Sequence, residues 1–277
     1  MTKTNKDTKP WKDLESTEEG LINTSNKQGY MLAEPDDLMK EFAEFCAKDG
    51  RVGADIGCAY GVATLHVLQQ MEKKKVQGKI IAVDPSKKHI AKLQELAATQ
   101  GLDKQLETRC AIYPQDTTFK PSTIDAILLS RILHFLTGKQ IEEVFKVVFK
   151  ALKPGGKIYI STITPYIACL VEFVDEYEAN LKRFLKKQNK QQTWPGEIGD
   201  LQKYLKKSSQ KNQNPNFFHA MSPAELQQAL KKTGFQVELA EFSTRPYPDN
   251  VQYEHNGTHQ EDAILIAKKP TPVRLME

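Results

Sequence analysis

The stretch Val52-Gly53-Ala54-Asp55-Ile56-Gly57-Cys58-Ala59-Tyr60-Gly61 decides the fold of this 277-residue chain. A short apolar run ends at an acidic residue, two glycines four apart follow, and Val62-Ala63-Thr64-Leu65 opens a helical pattern directly afterwards. Strand, glycine turn and helix in that order make the cradle in which α/β proteins hold nucleotide-like cofactors. Gly57 is expected to let the chain turn sharply. Gly61 is expected to remove a side chain that would keep a ligand away from the helix start. The spacing excludes a dinucleotide fingerprint, because G-x-G-x-x-G would need glycines at 59 and 62, where Ala59 and Val62 stand.

A second feature lies downstream. Lys79-Ile80-Ile81-Ala82-Val83-Asp84 reads as a buried strand closing on a carboxylate, with Pro85-Ser86 opening the next helix. An acidic residue roughly 20 residues past a glycine turn suits a ribose diol, since one carboxylate accepts from two hydroxyls at once. The alternative is a helix cap, a task for which Ser86 is already placed.

Working outward, the pattern alternates strands and helices. Residues 35–48 carry Leu38, Phe42 and Phe45 on one helical face, with Gly50 as the stop. Residues 86–100 repeat the pattern through Ile90, Leu93 and Leu96. A weak strand is expected over 106–111 and a strong one over 123–130, whose consecutive Ile127, Leu128 and Leu129 suit a strand covered on both faces. Thr137 then caps a helix with a stripe of Ile141, Val144, Phe145, Val148 and Leu152. Pro154-Gly155-Gly156 ends it, and 157–163 is a fifth strand. Ser222-Pro223-Ala224-Glu225 has the form of a capping box with proline at the first helical position. Two strands, 235–242 and 262–267, close the pattern without a helix between them, which implies an antiparallel last pair. These rules give a doubly wound α/β sheet.

The element Asp55-x-Gly57-x-Ala59-x-Gly61 resembles the first motif of class I S-adenosylmethionine (SAM) methyltransferases, commonly written D/E-x-G-x-G-x-G. Asp84 and the turn Leu152-Lys153-Pro154-Gly155-Gly156 match that family too, whose post-helix turn is often L-x-P-G-G. The resemblance implies a Rossmann-like α/β fold: a seven-stranded, mostly parallel sheet whose antiparallel last strand slips between the fifth and sixth. It implies SAM as cofactor and S-adenosylhomocysteine as product. Asp55, Gly57, Ala59 and Gly61 would surround the methionine part, and Asp84, followed by Pro85, would take the ribose. Cys110-Ala111-Ile112 would lie beside the adenine, where many relatives have Asp-Ala, so this chain departs at Cys110.

After the fourth core strand stands Ser130-Arg131-Ile132-Leu133-His134, where the family puts residues nearest the transferred methyl. Ser130 joins the cofactor set. His134 is either a base or a structural residue under the cofactor, and Arg131 is a candidate clamp for an acidic substrate group. An N-P-P-Y element and a Pro-Cys pair are absent from this position, which argues against exocyclic amino groups and cytosine C5 as acceptors.

The segment between the fifth strand and Ser222 is too long for a bare core. Residues 166–188 read as one long amphipathic helix, followed by a polar linker with Trp194-Pro195-Gly196 and a short helix near 201–205. We expect a single domain over 1–277, with an N-terminal arm at 1–34, an α/β core at 35–164 and 222–270, and a helical lid at 165–221. Tyr30 of the arm and Tyr166 of the lid are the candidate substrate contacts. A helical decoration covering a sheet edge is the alternative to a lid.

Charge gives a second handle on partners. Between 182 and 211 stand nine basic residues (Lys182, Arg183, Lys186, Lys187, Lys190, Lys203, Lys206, Lys207, Lys211) against Glu197 and Asp200. That surplus of seven exceeds the whole chain's net +4, so the rest is net negative. Such a patch steers phosphates or acidic partners, yet lysines opposite an apolar stripe are also an ordinary solvated helix face. A small molecule is the expected substrate, with nucleic acid or protein as alternatives. A SAM-binding module without transfer activity also stays open, and oligomeric state is unspecified. No apolar run approaches the roughly 18 residues of a membrane span, and residues 1–19 lack the apolar stretch of a secretory signal. Four scattered cysteines (Cys46, Cys58, Cys110, Cys169) read as small buried hydrophobes in a reducing compartment. The cytoplasm is therefore expected. Tyr247, Tyr253, His255 and His259 lie in the last long loop, where Asn256-Gly257 makes a turn, and no metal site is expected.

Overall fold

The computed structural model describes Trp11, Leu14 and residues 21–25, 30–186, 193–205, 217–244 and 258–272. Most of the N-terminal 20 residues, arm residues 26–29, Lys187, Lys190, Lys206, Lys207, Lys211, Tyr247, Tyr253 and His255 lie outside the described residues.

The chain opens with a two-stranded antiparallel hairpin, β1 (Ile22–Asn23) and β2 (Tyr30–Met31). Then follow α1 (Asp37–Cys46), β3 (Val52–Ile56), α2 (Val62–Lys74), β4 (Lys79–Asp84), α3 (Lys87–Thr99), β5 (Leu106–Cys110), β6 (Ile124–Ser130), α4 (Gly138–Ala151) and β7 (Leu152–Ile163). The insertion holds α5 (Val174–Lys186), β8 (Glu197–Ile198) and β9 (Phe218–His219). After it come α6 (Pro223–Thr233), β10 (Gln236–Ser243) and β11 (Asp262–Lys268). The main sheet has seven strands in the order β10-β11-β7-β6-β3-β4-β5. Only β11 runs against its neighbours, between β7 and β10, so the last strand slips in where the family resemblance places it.

Alternation along the strands explains the two layers of helices. On β4, Ile80 and Ala82 join the core under α1, α2 and α3, while Ile81 and Val83 face the core under α4 and α6. On β6, Ala126 and Leu128 divide from Ile127 and Leu129 in the same way. A strand with both faces covered must be apolar at every position, which is why these segments read as continuous runs.

The helices begin where their caps say. Asp36, Ser86, Thr137 and Ser222 each accept a backbone N–H in the first turn, and the last two complete capping boxes with Gln140 and Glu225. The Leu152–Gly156 turn is not a terminator outside the strand. β7 starts at Leu152, opposite Ile124, and resumes pairing at Lys157, opposite Ala126. Lys153 to Gly156 bulge out between those pairs, and Gly155, at φ +80°, donates its N–H to the Lys269 carbonyl at 2.8 Å.

The insertion departs from the expected single helix over 166–188. Ala168–Phe173 is a 3-10 helix that passes into α5 at Val174, and 201–203 is only a 3-10 turn. Leu170, Phe173 and Tyr177 are buried in their own cluster with Ile167, Ile198 and Leu201. Spacings of three and four residues fit either helix type, so the stripe survives the change of winding. The Trp194-Pro195-Gly196 stretch, expected as a polar linker, is buried instead. The cysteines divide as well: Cys46 and Cys58 are buried, Cys169 is half-buried and Cys110 is exposed, so the expectation of four buried thiols is corrected.

Candidate functional site

The chain runs outward from β3 to β4 and β5, then returns to β6 on the other side of β3. The strand order therefore reverses between β3 and β6, and ligands of open α/β sheets bind at such a point, outside the carboxyl ends of the strands. The loops after β3, β4, β5 and β6 meet there.

After β3 the chain turns at Gly57, φ +73°, and its N–H donates to the Val83 carbonyl of the neighbouring strand at 2.7 Å. A Cβ at Gly57 would collide with Ile132 of the loop after β6, so the two loops close on each other at the switch point. Gly61, φ +88°, caps α2 without a side-chain hydrogen bond, and the Asp55 carboxyl takes the Thr64 backbone N–H in the first turn. The missing side chain of Gly61 corrects one expectation. A Cβ there would meet Leu93 of α3, so Gly61 makes room for helix packing as well as for the left-handed turn. Ala59 also sits at positive φ, 47°, where the family motif commonly has glycine.

Asp55 points to the α2 side of β3, where its Oδ2 accepts from Thr64 Oγ1 at 2.7 Å. It is nearly fully buried. Burial pushes its carboxyl up to about 6, the Thr64 hydrogen bond opposes that, and the charge of nearby Asp84 adds to it. Asp84 ends β4 with three protein donors already in place. Its Oδ2 accepts from Ala59 N at 3.0 Å, and its Oδ1 accepts from Ser86 N at 2.8 Å and meets His89 Nδ1 at 2.9 Å. A carboxylate has about four lone-pair positions, so these bonds fix its rotation and leave it acceptor capacity. Ser86 also caps α3 by accepting from His89 N at 3.3 Å, so the cap is made by Ser86.

On the next loop, Ala111 N donates to the Asp84 carbonyl at 3.1 Å. Cys110 Sγ lies 3.5 Å from the Pro85 carbonyl. Ile112 is half exposed, and Asp116 Oδ2 accepts its N–H at 3.0 Å. An apolar side chain left in water beside a strand end suits a flat heterocycle.

The loop after β6 is strongly committed to the protein. Ser130 Oγ lies 3.0 Å from Ser161 Oγ. Arg131, at φ 53°, sends one guanidinium nitrogen to Asp36 at 3.0 Å and another to Asp262 at 2.7 Å. It ties the cap of α1 to the start of β11. His134 is buried in a 3-10 turn, with its ring 4.0 Å from Phe135 and 5.6 Å from Phe218 of β9. Tyr30 packs with Leu21 and Leu32 in the arm hairpin. Tyr166 lies edge-on to Tyr177 and to Phe242 of β10, with its phenol raised to about 12 by burial and by neighbouring carboxylates. That puts Tyr166 at the β10 side of the insertion. Asp55, Gly57, Ala59, Gly61, Asp84, Pro85, Cys110 and Ala111 come together at the switch point, whereas Tyr166 does not join them.

Three residues escaped the sequence reading. His89 contacts Asp84, Thr64 contacts Asp55, and buried His219 bonds the Leu136 carbonyl through Nδ1 at 2.8 Å. Only Thr64 left a local signal, lying three residues past Gly61 in the first turn of the helix. Among the described residues no cluster of His, Cys, Asp and Glu is placed to hold a metal, and no helix is long and apolar enough to cross a membrane.

Known proteins share this fold and part of this sequence. Residues 54–156 match a family model described as a methyltransferase domain. A carboxy-S-adenosyl-L-methionine synthase from Shewanella sp. (strain W3-18-1) is 29% identical over 107 residues, 39% of this chain and 42% of the relative. The chain thus matches less than half the length of that relative. Among solved structures, a SAM-dependent methyltransferase from Methanosarcina mazei superposes with a TM-score of 0.59 at 16% identity, covering 86% of this chain and all of that one. The [4+2]-cyclase SpnF superposes at 0.54 with 14% identity, covering 85% and 81% of the two chains.

Proposed function

We infer that this chain, whose residues 54–156 match the methyltransferase-domain model, is a class I SAM-dependent methyltransferase that binds SAM at the ends of β3, β4 and β5 and methylates a small molecule held under the 165–221 insertion. The observation that carries the reading is the Asp84 carboxylate, fixed by three donors beside the glycine turn that opens α2. The donor set fits the cofactor. Asp84 keeps an open position on Oδ2 for a ribose hydroxyl, the glycine turn before α2 lies beside it for the methionine part, and exposed Ile112 suits the adenine face. Asp84 is close enough to raise the cost of charging Asp55, and a ligand carrying sulfonium and ammonium charges offsets that repulsion.

When bound, SAM supplies the activated methyl, the difficult part of the chemistry. The protein's share is position and exclusion of water. Ser130 ends β6 and Arg131 and His134 follow it next to the switch point, where the Arg131 tie and the His134 stack hold the loop. In this reading His134 supports the floor beneath the acceptor, and the residues after β6 orient it.

The test is calorimetry with SAM and S-adenosylhomocysteine on the cofactor-stripped chain, followed by Asp84→Asn. Loss of one charged acceptor is expected to weaken binding roughly ten- to a hundredfold. Absence of heat with both nucleosides in the unaltered chain sinks the reading.

A second reading is favoured by one observation. The side chains nearest the transfer position are engaged by the protein itself: Arg131 by two carboxylates and His134 by two aromatic rings. A SAM-binding protein with other chemistry fits that, and one fold hosts many activities. Binding without methyl transfer in a substrate screen would select it. Lys182, Arg183 and Lys186 are exposed on α5, and salt-sensitive RNA binding through them would select a macromolecular substrate.

A further inference from the structure

His89 is 2% exposed and belongs to none of the motifs. Its two ring nitrogens face different partners. Nδ1 is 2.9 Å from Asp84 Oδ1, and Nε2 is 2.9 Å from the backbone N of Ser25 in the N-terminal arm. Ser25 Oγ also lies 2.8 Å from Ser86 Oγ, and the Tyr60 ring stands edge-on to the imidazole at 4.5 Å. We propose that His89 positions the Asp84 carboxylate for its ligand, and that the Ser25 backbone sets His89 in the form that does so.

A backbone N–H only donates, so Nε2 must accept from Ser25. The ring proton of the neutral imidazole therefore sits on Nδ1, where it donates to Asp84. The other tautomer would turn a lone pair toward Asp84 Oδ1, and an imidazolium would set its Nε2–H against the Ser25 N–H. The Ser25 contact thus holds a neutral ring, and the negative charge of Asp84 stays available for ligand hydroxyls. Order in residues 21–25 and affinity for a ribose hydroxyl at Asp84 become one equilibrium, although the two segments are far apart in sequence.

The inference rests on the SAM site of the preceding subsection, and the experiment separates the two. Hydrogen exchange of residues 21–25 is followed in the ligand-free chain. Calorimetry then compares S-adenosylhomocysteine with its 2′,3′-dideoxy analogue. Ser25→Ala removes only the hydroxyl, whereas Ser25→Pro also removes the N–H. Ser25→Pro is expected to bind S-adenosylhomocysteine roughly three- to tenfold more weakly than Ser25→Ala, the effect of about one hydrogen bond. His89→Asn keeps a donor at the Nδ1 position and loses the Nε2 acceptor. It is expected to retain discrimination between diol and dideoxy ligands while the arm loses exchange protection. His89→Phe is expected to lose both.

Equal affinity in Ser25→Pro and Ser25→Ala overturns the coupling. Intact diol discrimination in His89→Phe overturns the positioning role. If the unaltered chain binds neither nucleoside, the proposed function falls. In that event arm protection unchanged in His89→Asn also removes the Ser25 contact, and protection lost upholds it.

Discussion

Asp55 is a carboxylate that the fold keeps out of water beside a second carboxylate, and burial lifts it to about 6. A group with a folded value above its unfolded value favours the folded state below about 4 and loses that contribution as pH rises through about 6. A cation bound nearby pulls the proton off. SAM binding is therefore expected to release a proton and to weaken roughly tenfold between pH 7 and pH 5; calorimetry in two buffers of different ionisation enthalpy measures both. Asp55→Asn should flatten that dependence. Ala59 offers a second test at this scale. A left-handed alanine costs about 1 kcal/mol, and glycine gives part of that back through its freer unfolded chain. Ala59→Gly is expected to raise the melting temperature slightly, with the N–H to Asp84 intact, as differential scanning fluorimetry would show.

At the scale of elements, the insertion is held by buried polar bonds as well as apolar packing. Tyr177 of α5 donates its hydroxyl to Glu225 Oε1 at 2.6 Å and accepts from Ser222 N at 3.2 Å, joining α5 to the capping box of α6. Burial raises the Glu225 carboxyl, and its bonds to Ser222 and Tyr177 oppose the rise. Removing the hydroxyl strips one donor from a buried acid, so Tyr177→Phe is expected to cost about 1–3 kcal/mol in urea unfolding. An unchanged midpoint would mean that α5 is free of the core. The stripe of Leu170, Phe173 and Tyr177 was legible because burial periodicity is local. The change from 3-10 to α winding at Val174 was not, since both place those residues on one face. The buried Trp194 escaped for a related reason: a Trp-Pro-Gly sequence looks like a loop until a hydrophobic surface is brought to it.

Across the whole molecule, His219 couples the insertion to the loop after β6, and burial lowers it to about 4. The unfolded chain takes up a proton below about 6.5, whereas the folded imidazole stays neutral until about 4. Stability is expected to fall across that window by up to about 3 kcal/mol and to stay level below it. Asp55 runs the opposite way over nearly the same range, so the wild-type curve alone mixes the two. His219→Asn retains a donor for the Leu136 carbonyl and does not titrate, and the difference between its pH–stability curve and the wild-type curve isolates the histidine. No difference between pH 6.5 and pH 4 would place His219 in water.

The amino-acid order by itself determined the elements and their sequence: strand, glycine turn and helix around Asp55, the caps at Ser86, Thr137 and Ser222, and the doubly apolar β4 and β6. Each rests on a few neighbouring residues, through φ preferences, cap donors and side-chain period. Tertiary structure decided which polar groups meet. Arg131 joins Asp36 and Asp262, Gly61 yields space to Leu93, and His89 stands between Asp84 and Ser25. These partners are separated by up to 131 residues, so no local spacing encodes them, and they come together only when the strands align and their ends converge at one edge of the sheet.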